Sequence, residues 1–169
     1  WQSLVPLNIK KSQIKAASLT CQRATMVNLD KDGLPLRPAI VWLDQRQQDN
    51  VDKMSWHWRA LFFLAGESQT INHFRSQAEA NWIKHQQADI WEKTDKYMLL
   101  SGYHSFKLTG NFVDSISSQV GYLPFDFKRH RWCKPKDWRW QALPIKPHML
   151  PKLVPCGQAL GIINEKAAS

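Results

Sequence analysis

The run Asp30-Lys31-Asp32-Gly33, set between two β-rich segments, constrains this chain more than any other feature. Asp-Gly in that setting reverses the backbone, because glycine takes positive φ without a Cβ clash. A strand over Thr25 to Leu29 precedes the turn, and a return segment ending in Ala39-Ile40-Val41-Trp42 follows it. Pro35 and Pro38 have no amide hydrogen to give to a ladder, so the return segment is expected to be an edge or irregular strand until Ala39. Another short apolar strand is expected upstream, from Ile14 to Leu19. This arrangement puts two polar groups, Gln22-Arg23 and Asp44 to Arg46, at strand ends, with Trp42 between them in sequence. Polar side chains at strand ends beside an aromatic ring form one wall of a site for a polar ligand.

Beyond the turn the pattern changes from strand to helix. Val51, Met54, Trp58, Leu61 and Phe62 recur at spacings of three and four, which predicts a helix from Asp44 to about Leu64 with Gly66 just past its end. Asp44 would cap it. Ser76-Gln77-Ala78-Glu79 reads as a capping box opening a helix from Gln77 to about Gln87, with Ala78, Trp82 and Ile83 inward. A short helix is expected at Asp89 to Glu92, and an extended apolar segment at Tyr97 to Leu100. Ser101 then starts a helix that Gly110 ends, and Leu123 to Phe127 reads as a strand.

Length and charge narrow the classes. At 169 residues, 43% of them hydrophobic and 22% charged, the chain can build the core of one ordinary domain. No apolar run approaches the roughly 18 residues of a membrane helix. Nothing resembles a signal peptide, and Cys21, Cys133 and Cys156 are widely spaced with no C-x-x-C, so a cytoplasmic location is expected. The six histidines show no ligand spacing, and no metal site is expected. No G-x-S-x-G supports a hydrolase. The net charge of +9 invites a polyanion. Its one cluster is Lys128 to Arg131 with Lys134 and Lys136, interleaved with Trp132 and Trp138, but scattered solvated charge explains the sum as well, and nucleic acid is not the expected partner.

The first stretch also carries a resemblance. Thr20-Cys21-Gln22-Arg23-Ala24-Thr25 is similar to the T-x-Q-R-E-T of glycerol kinases. Residues 30–46 match D-x-x-G-x-P-L-R-P-A-I-x-W-x-D-x-R, a pattern of the FGGY carbohydrate kinases. Lys107-Leu108-Thr109-Gly110 matches a K-L-T-G block of that family, and Leu150 to Gly161 resembles its L-P-x-x-V-x-x-G-x-x-x-G. Two positions depart: Ala24 replaces a Glu of glycerol kinases, and Glu79 stands where a Lys is usual.

The resemblance implies an α/β fold, part of a ribonuclease H-like (actin-like ATPase) domain, helix-rich after the first hairpin. It implies that residues 1–169 are a fragment of the amino-terminal domain, lacking the first phosphate-binding strands and the carboxy-terminal domain. The parent protein would transfer a phosphoryl group from ATP, with Mg2+, to a hydroxyl of a sugar or polyol. No catalytic residue is expected in this chain, and neither cofactor is expected to bind it well. The substrate wall carried over is Arg23, Trp42, Asp44 and Arg46, with Phe74 near the position of a substrate-contacting Tyr. Simpler roles stand beside these: Arg23 as a surface residue, Trp42 as core, Asp44 as a helix cap or as the partner of Arg46. Loss of the Glu at position 24 argues against glycerol. A fragment with exposed sheet edge is expected to self-associate, so a homo-oligomer is one expected state. The rival reading is a non-catalytic carbohydrate- or polyanion-binding domain.

Overall fold

The computed structural model describes residues 6–168. Its centre is an antiparallel pair, β1 (Met26–Leu29) and β2 (Lys96–Leu99), in the register Met26 to Leu99, Val27 to Met98 and Asn28 to Tyr97. All four residues of β1 are buried, so both faces of this ribbon are covered. The alternation of a strand explains how. Met26, Tyr97 and Leu99 join the large core with Ile40, Ile83, Phe125, Leu143 and Met149. Val27, Leu29 and Met98 form a second cluster against Tyr103, Phe106 and Phe112.

The Asp30 to Gly33 turn forms as the sequence predicts. Asp30 Oδ1 accepts from the amides of Asp32 and Leu34, both at 2.9 Å, and Gly33 lies at φ 75°. The return segment touches β1 only at two bridges, Leu29 to Pro35 and Met26 to Ile40, because the prolines interrupt the ladder between them.

Helices follow in sequence: α1 (Trp56–Leu64), α2 (Ser68–Gln77), α3 (Glu79–Gln86) and α4 (Ala88–Lys93). After β2 comes α5 (Leu100–Thr109), ended by Gly110 in the left-handed conformation at φ 80°. β3 (Val113–Ser115) pairs in parallel with a late strand, β6 (Lys152–Val154). Between them lie the hairpin β4 (Phe125–Asp126) and β5 (Arg131–Trp132) and a short helix, α6 (Arg139–Ala142). A last turn of helix is α7 (Glu165–Ala168). Among the described residues no helix is long and apolar enough to cross a membrane.

Four sequence expectations are corrected. Ile14 to Leu19 is not a strand; Ile14 and Leu19 are exposed, and no described segment pairs with them. The helix expected from Asp44 begins only at Trp56. Residues 44–55 are irregular because distant partners hold them: Gln48 N donates to Ser76 O at 2.9 Å, Gln86 Nε2 to Gln48 Oε1 at 2.8 Å, and an Arg75 guanidinium nitrogen to the Asp52 carbonyl. Ser76 does not open a helix; it lies in the last turn of α2, its hydroxyl on His73 O at 3.0 Å, and Ala78 precedes α3. Ser101 lies inside α5, after Leu99 as cap, and its hydroxyl donates to Asp114 Oδ2 at 2.8 Å.

Candidate functional site

The bridge between Met26 and Ile40 organises the candidate wall. Each donates its amide to the other's carbonyl, at 2.9 and 3.2 Å. In an antiparallel bridge, residues before one partner lie opposite residues after the other. Arg23, three before Met26, and Trp42, two after Ile40, therefore leave the bridge at the same end. Both are exposed, Trp42 by 60%. A backbone reversal with Ala24 at φ 52° carries Arg23 into this edge.

Asp44 and Arg46 follow Trp42 directly. The Asp44 amide donates to Val41 O at 2.9 Å, closing a turn that begins beside Trp42. Asp44 Oδ1 accepts from the Arg46 amide at 3.0 Å and from Arg46 Nε at 2.7 Å. The Arg46 guanidinium lies 4.3 Å from the centre of the Trp82 ring on α3. One cation thus holds the loop to itself and to a helix. Asp44 is not the cap of a helix; its carboxylate is used within its own loop. Burial pushes the Asp44 carboxyl up, but the Arg46 hydrogen bonds and the charges of Arg46 and Arg37 bring it below the usual carboxylate range.

Phe74 sits elsewhere in its contacts. On α2 it packs edge-on against Tyr122 at 5.2 Å and Trp138 at 5.3 Å. Half-buried, it belongs to an aromatic cluster that continues through Trp138 to Phe62 at 5.5 Å.

Behind the wall lies a polar set that the sequence reading did not assign to the site. Arg37 donates from Nε to Gln87 Oε1 at 2.8 Å, and its Nη1 is buried without a hydrogen-bond partner. Burial and the charge of Arg46 lower its pKa. Glu79, half-buried at the start of α3, is pushed above the usual carboxylate range by burial, with the charge of Asp44 adding to the shift. Tyr97 is fully buried on β2, and burial, then the charge of Glu79, raise its phenol well above the ordinary value. Arg37 was visible as part of the R-P-A-I motif. Glu79 was visible as the residue standing where the family usually has a Lys. Their proximity to Asp44 comes from tertiary packing, including that of α3 on the Asp44 loop through Arg46 and Trp82, and could not be read from spacing.

On the other side, the buried Asp114 accepts from Ser101 Oγ at 2.8 Å, Gln119 Nε2 at 3.0 Å and the Ser115 amide at 2.8 Å. Burial raises its carboxyl against those bonds. Burial, and then the charge of Asp114, raise the Cys21 thiol.

Among the described residues no group of His, Cys, Asp or Glu is arranged to hold a metal ion. The seven glycines are scattered and build no phosphate-cradling loop.

The chain is similar to known proteins over almost its whole length. Residues 2–169 match the model of the N-terminal domain of the FGGY family of carbohydrate kinases. The chain is 27% identical over 155 residues to a xylulose kinase of Staphylococcus xylosus, covering 92% of this chain and 32% of that protein. It is 32% identical over 164 residues to a glycerol kinase of Mycoplasmopsis pulmonis, again covering 92% of this chain and 32% of the relative. Among solved structures, the ligand-bound xylulose kinase from Lactobacillus acidophilus superimposes with a TM-score of 0.66 at 19% identity, over 93% of this chain and 32% of that one. The chain thus spans about a third of the length of the relatives it matches. Its fold is the mixed α/β, actin-like ATPase fold of these kinases. The chain belongs to the FGGY family of carbohydrate kinases and corresponds to its N-terminal domain.

Proposed function

We propose that the protein carrying this chain phosphorylates a hydroxyl of a sugar or polyol, using ATP with magnesium, and that this chain supplies one wall of the acceptor site. The shared exit of Arg23 and Trp42 from the Met26–Ile40 bridge carries this reading. A guanidinium offers donors in a fixed fork that suits neighbouring hydroxyls. An exposed indole beside it offers a flat apolar face to the carbon skeleton. Asp44 and Arg46 act as positioning residues: their 2.7 Å ion pair, stacked on Trp82, fixes the loop that presents Trp42. Phe74, packed against Tyr122 and Trp138, serves the acceptor side in this reading only by supporting that cluster.

Position 24 narrows the substrate. Ala24 has no acceptor to pair with a hydroxyl, so glycerol, small and wholly dependent on such bonds, is the poorer candidate. A longer pentose, hexose or aldonate can use Trp42. The base that takes the acceptor proton and the nucleotide site lie outside this chain in the proposal, and the reaction belongs in the cytoplasm. The test is ATP consumption by the complete protein across pentoses, hexoses, gluconate and polyols. One class should stimulate turnover, and glycerol should not be the best. No stimulation by any of them would overturn the proposal.

A further inference from the structure

Helices α1 and α2 enclose a groove of about 450 Å³, away from the wall described above. Met54, Phe62, Phe63 and Ile71 give it apolar sides, and Arg59 and Arg75 are its charged lining residues, with no Asp or Glu among those that line it. Its size lies within the range of small-molecule sites, roughly 300–1,000 Å³.

Arg75 is the unusual member. Only 9% exposed, it makes no ion pair among the described residues. Its one side-chain hydrogen bond goes to a neutral acceptor, the Asp52 carbonyl, and its Nε is buried with no partner. The nearby Asp52 carboxylate is engaged by Lys84 and lies 3.6 Å from His85 Nε2. A buried cation whose counter-charge, Asp52, lies beyond ion-pair distance and is engaged by another cation is costly unless something else compensates it. Burial lowers the Arg75 pKa, and the charge of Asp52 opposes it only in part. Arg59, an exposed lining residue, adds a second positive charge and makes no ion pair among the described residues.

We propose that this groove binds a small amphipathic anion, an aromatic or aliphatic carboxylate or its equivalent, whose apolar body lies between α1 and α2 and whose charge faces Arg59 and Arg75. The apolar sides explain why the body enters, and the arginines explain why the head is anionic. Phe62 forms part of both the groove and the aromatic cluster that reaches Phe74 through Trp138, so an occupant would touch that cluster.

The test compares 2-naphthoate with its neutral analogue 2-naphthamide by isothermal titration of the complete protein, without sugar or nucleotide. The readout is therefore independent of kinase activity. Saturable one-to-one binding of naphthoate is expected, roughly tenfold or more tighter than naphthamide, as befits hydrogen bonds to a charged head. Ala60→Trp, which fills the groove from the exposed side of α1, should remove both. Arg59→Gln should weaken naphthoate and leave naphthamide unchanged; it tests the charge even if Arg75→Gln fails to fold. Equal affinity for acid and amide, unaltered binding in Ala60→Trp, or no saturable binding at millimolar probe would overturn the proposal.

Discussion

Single residues carry the tightest constraints. Gly33 combines a left-handed backbone with a close approach: a Cβ there would stand 2.4 Å from Phe106 Cζ. Phe106 cannot retreat freely, since it stacks on Phe112 at 4.2 Å. Gly33→Ala should therefore cost about 2–5 kcal/mol, from the positive φ and the overpacking together. Urea unfolding of the variant checks this, and adding Phe106→Leu should restore part of the loss. Trp42 makes the opposite case. It is exposed, so Trp42→Ala should leave the unfolding midpoint within about 0.5 kcal/mol of wild type. Its effect should appear in KM for the sugar. A large loss of stability would show that the ring is core after all.

At the scale of elements, the packing of α3 against the Asp44 loop sets a pH dependence. Glu79 has its carboxyl raised by burial and by Asp44. The folded state thus holds its proton at a pH where the unfolded chain has released it. Stability contributed by this group rises as pH falls through its raised pKa, and levels off below the unfolded value of about 4.3. Asp44 is lowered instead, so its contribution is present above the unfolded value of about 3.9 and is lost as pH falls through the folded pKa. With both ion-pair partners near the surface, that contribution should stay well below 1 kcal/mol. Glu79→Gln should raise the thermal midpoint at pH 7.5 and flatten its change between pH 7.5 and 5. An unchanged profile would show that Glu79 is solvated in solution.

The same scale shows what the sequence could tell. The Asp30 to Gly33 turn, β1, β2, α4 and the Gly110 stop were legible because each rests on local chemistry: a left-handed glycine, an Asx turn, or a short apolar run. The irregular 44–55 segment was not. Its apolar spacing suits a helix, but its hydrogen bonds go to residues of α2 and α3 far along the chain. Helix α2 was missed for the converse reason: its sequence SQTINHFRSQ has only Ile71 and Phe74 to mark an apolar face. Of the candidate wall, the residues and their motif were legible. The shared exit of Arg23 and Trp42 needed the Met26–Ile40 bridge, and the Arg37 and Glu79 surroundings of Asp44 needed tertiary packing.

At the scale of the molecule, a buried two-stranded ribbon carries the proposed acceptor wall on one margin, and α1, α2 and Trp138 supply an aromatic cluster. The wall is exposed and adds little to stability; the ribbon and cluster hold the fold. Function and stability should therefore separate under mutation, most cleanly at Arg23. The decisive measurement is steady-state kinetics of Arg23→Ala in the complete protein, with the unfolding midpoint measured on the same sample. On the sugar that wild type uses best, kcat/KM should fall by roughly 10- to 150-fold, the worth of hydrogen bonds from a charged donor, with the midpoint unchanged. Wild-type kcat/KM in a folded Arg23→Ala protein would contradict the account.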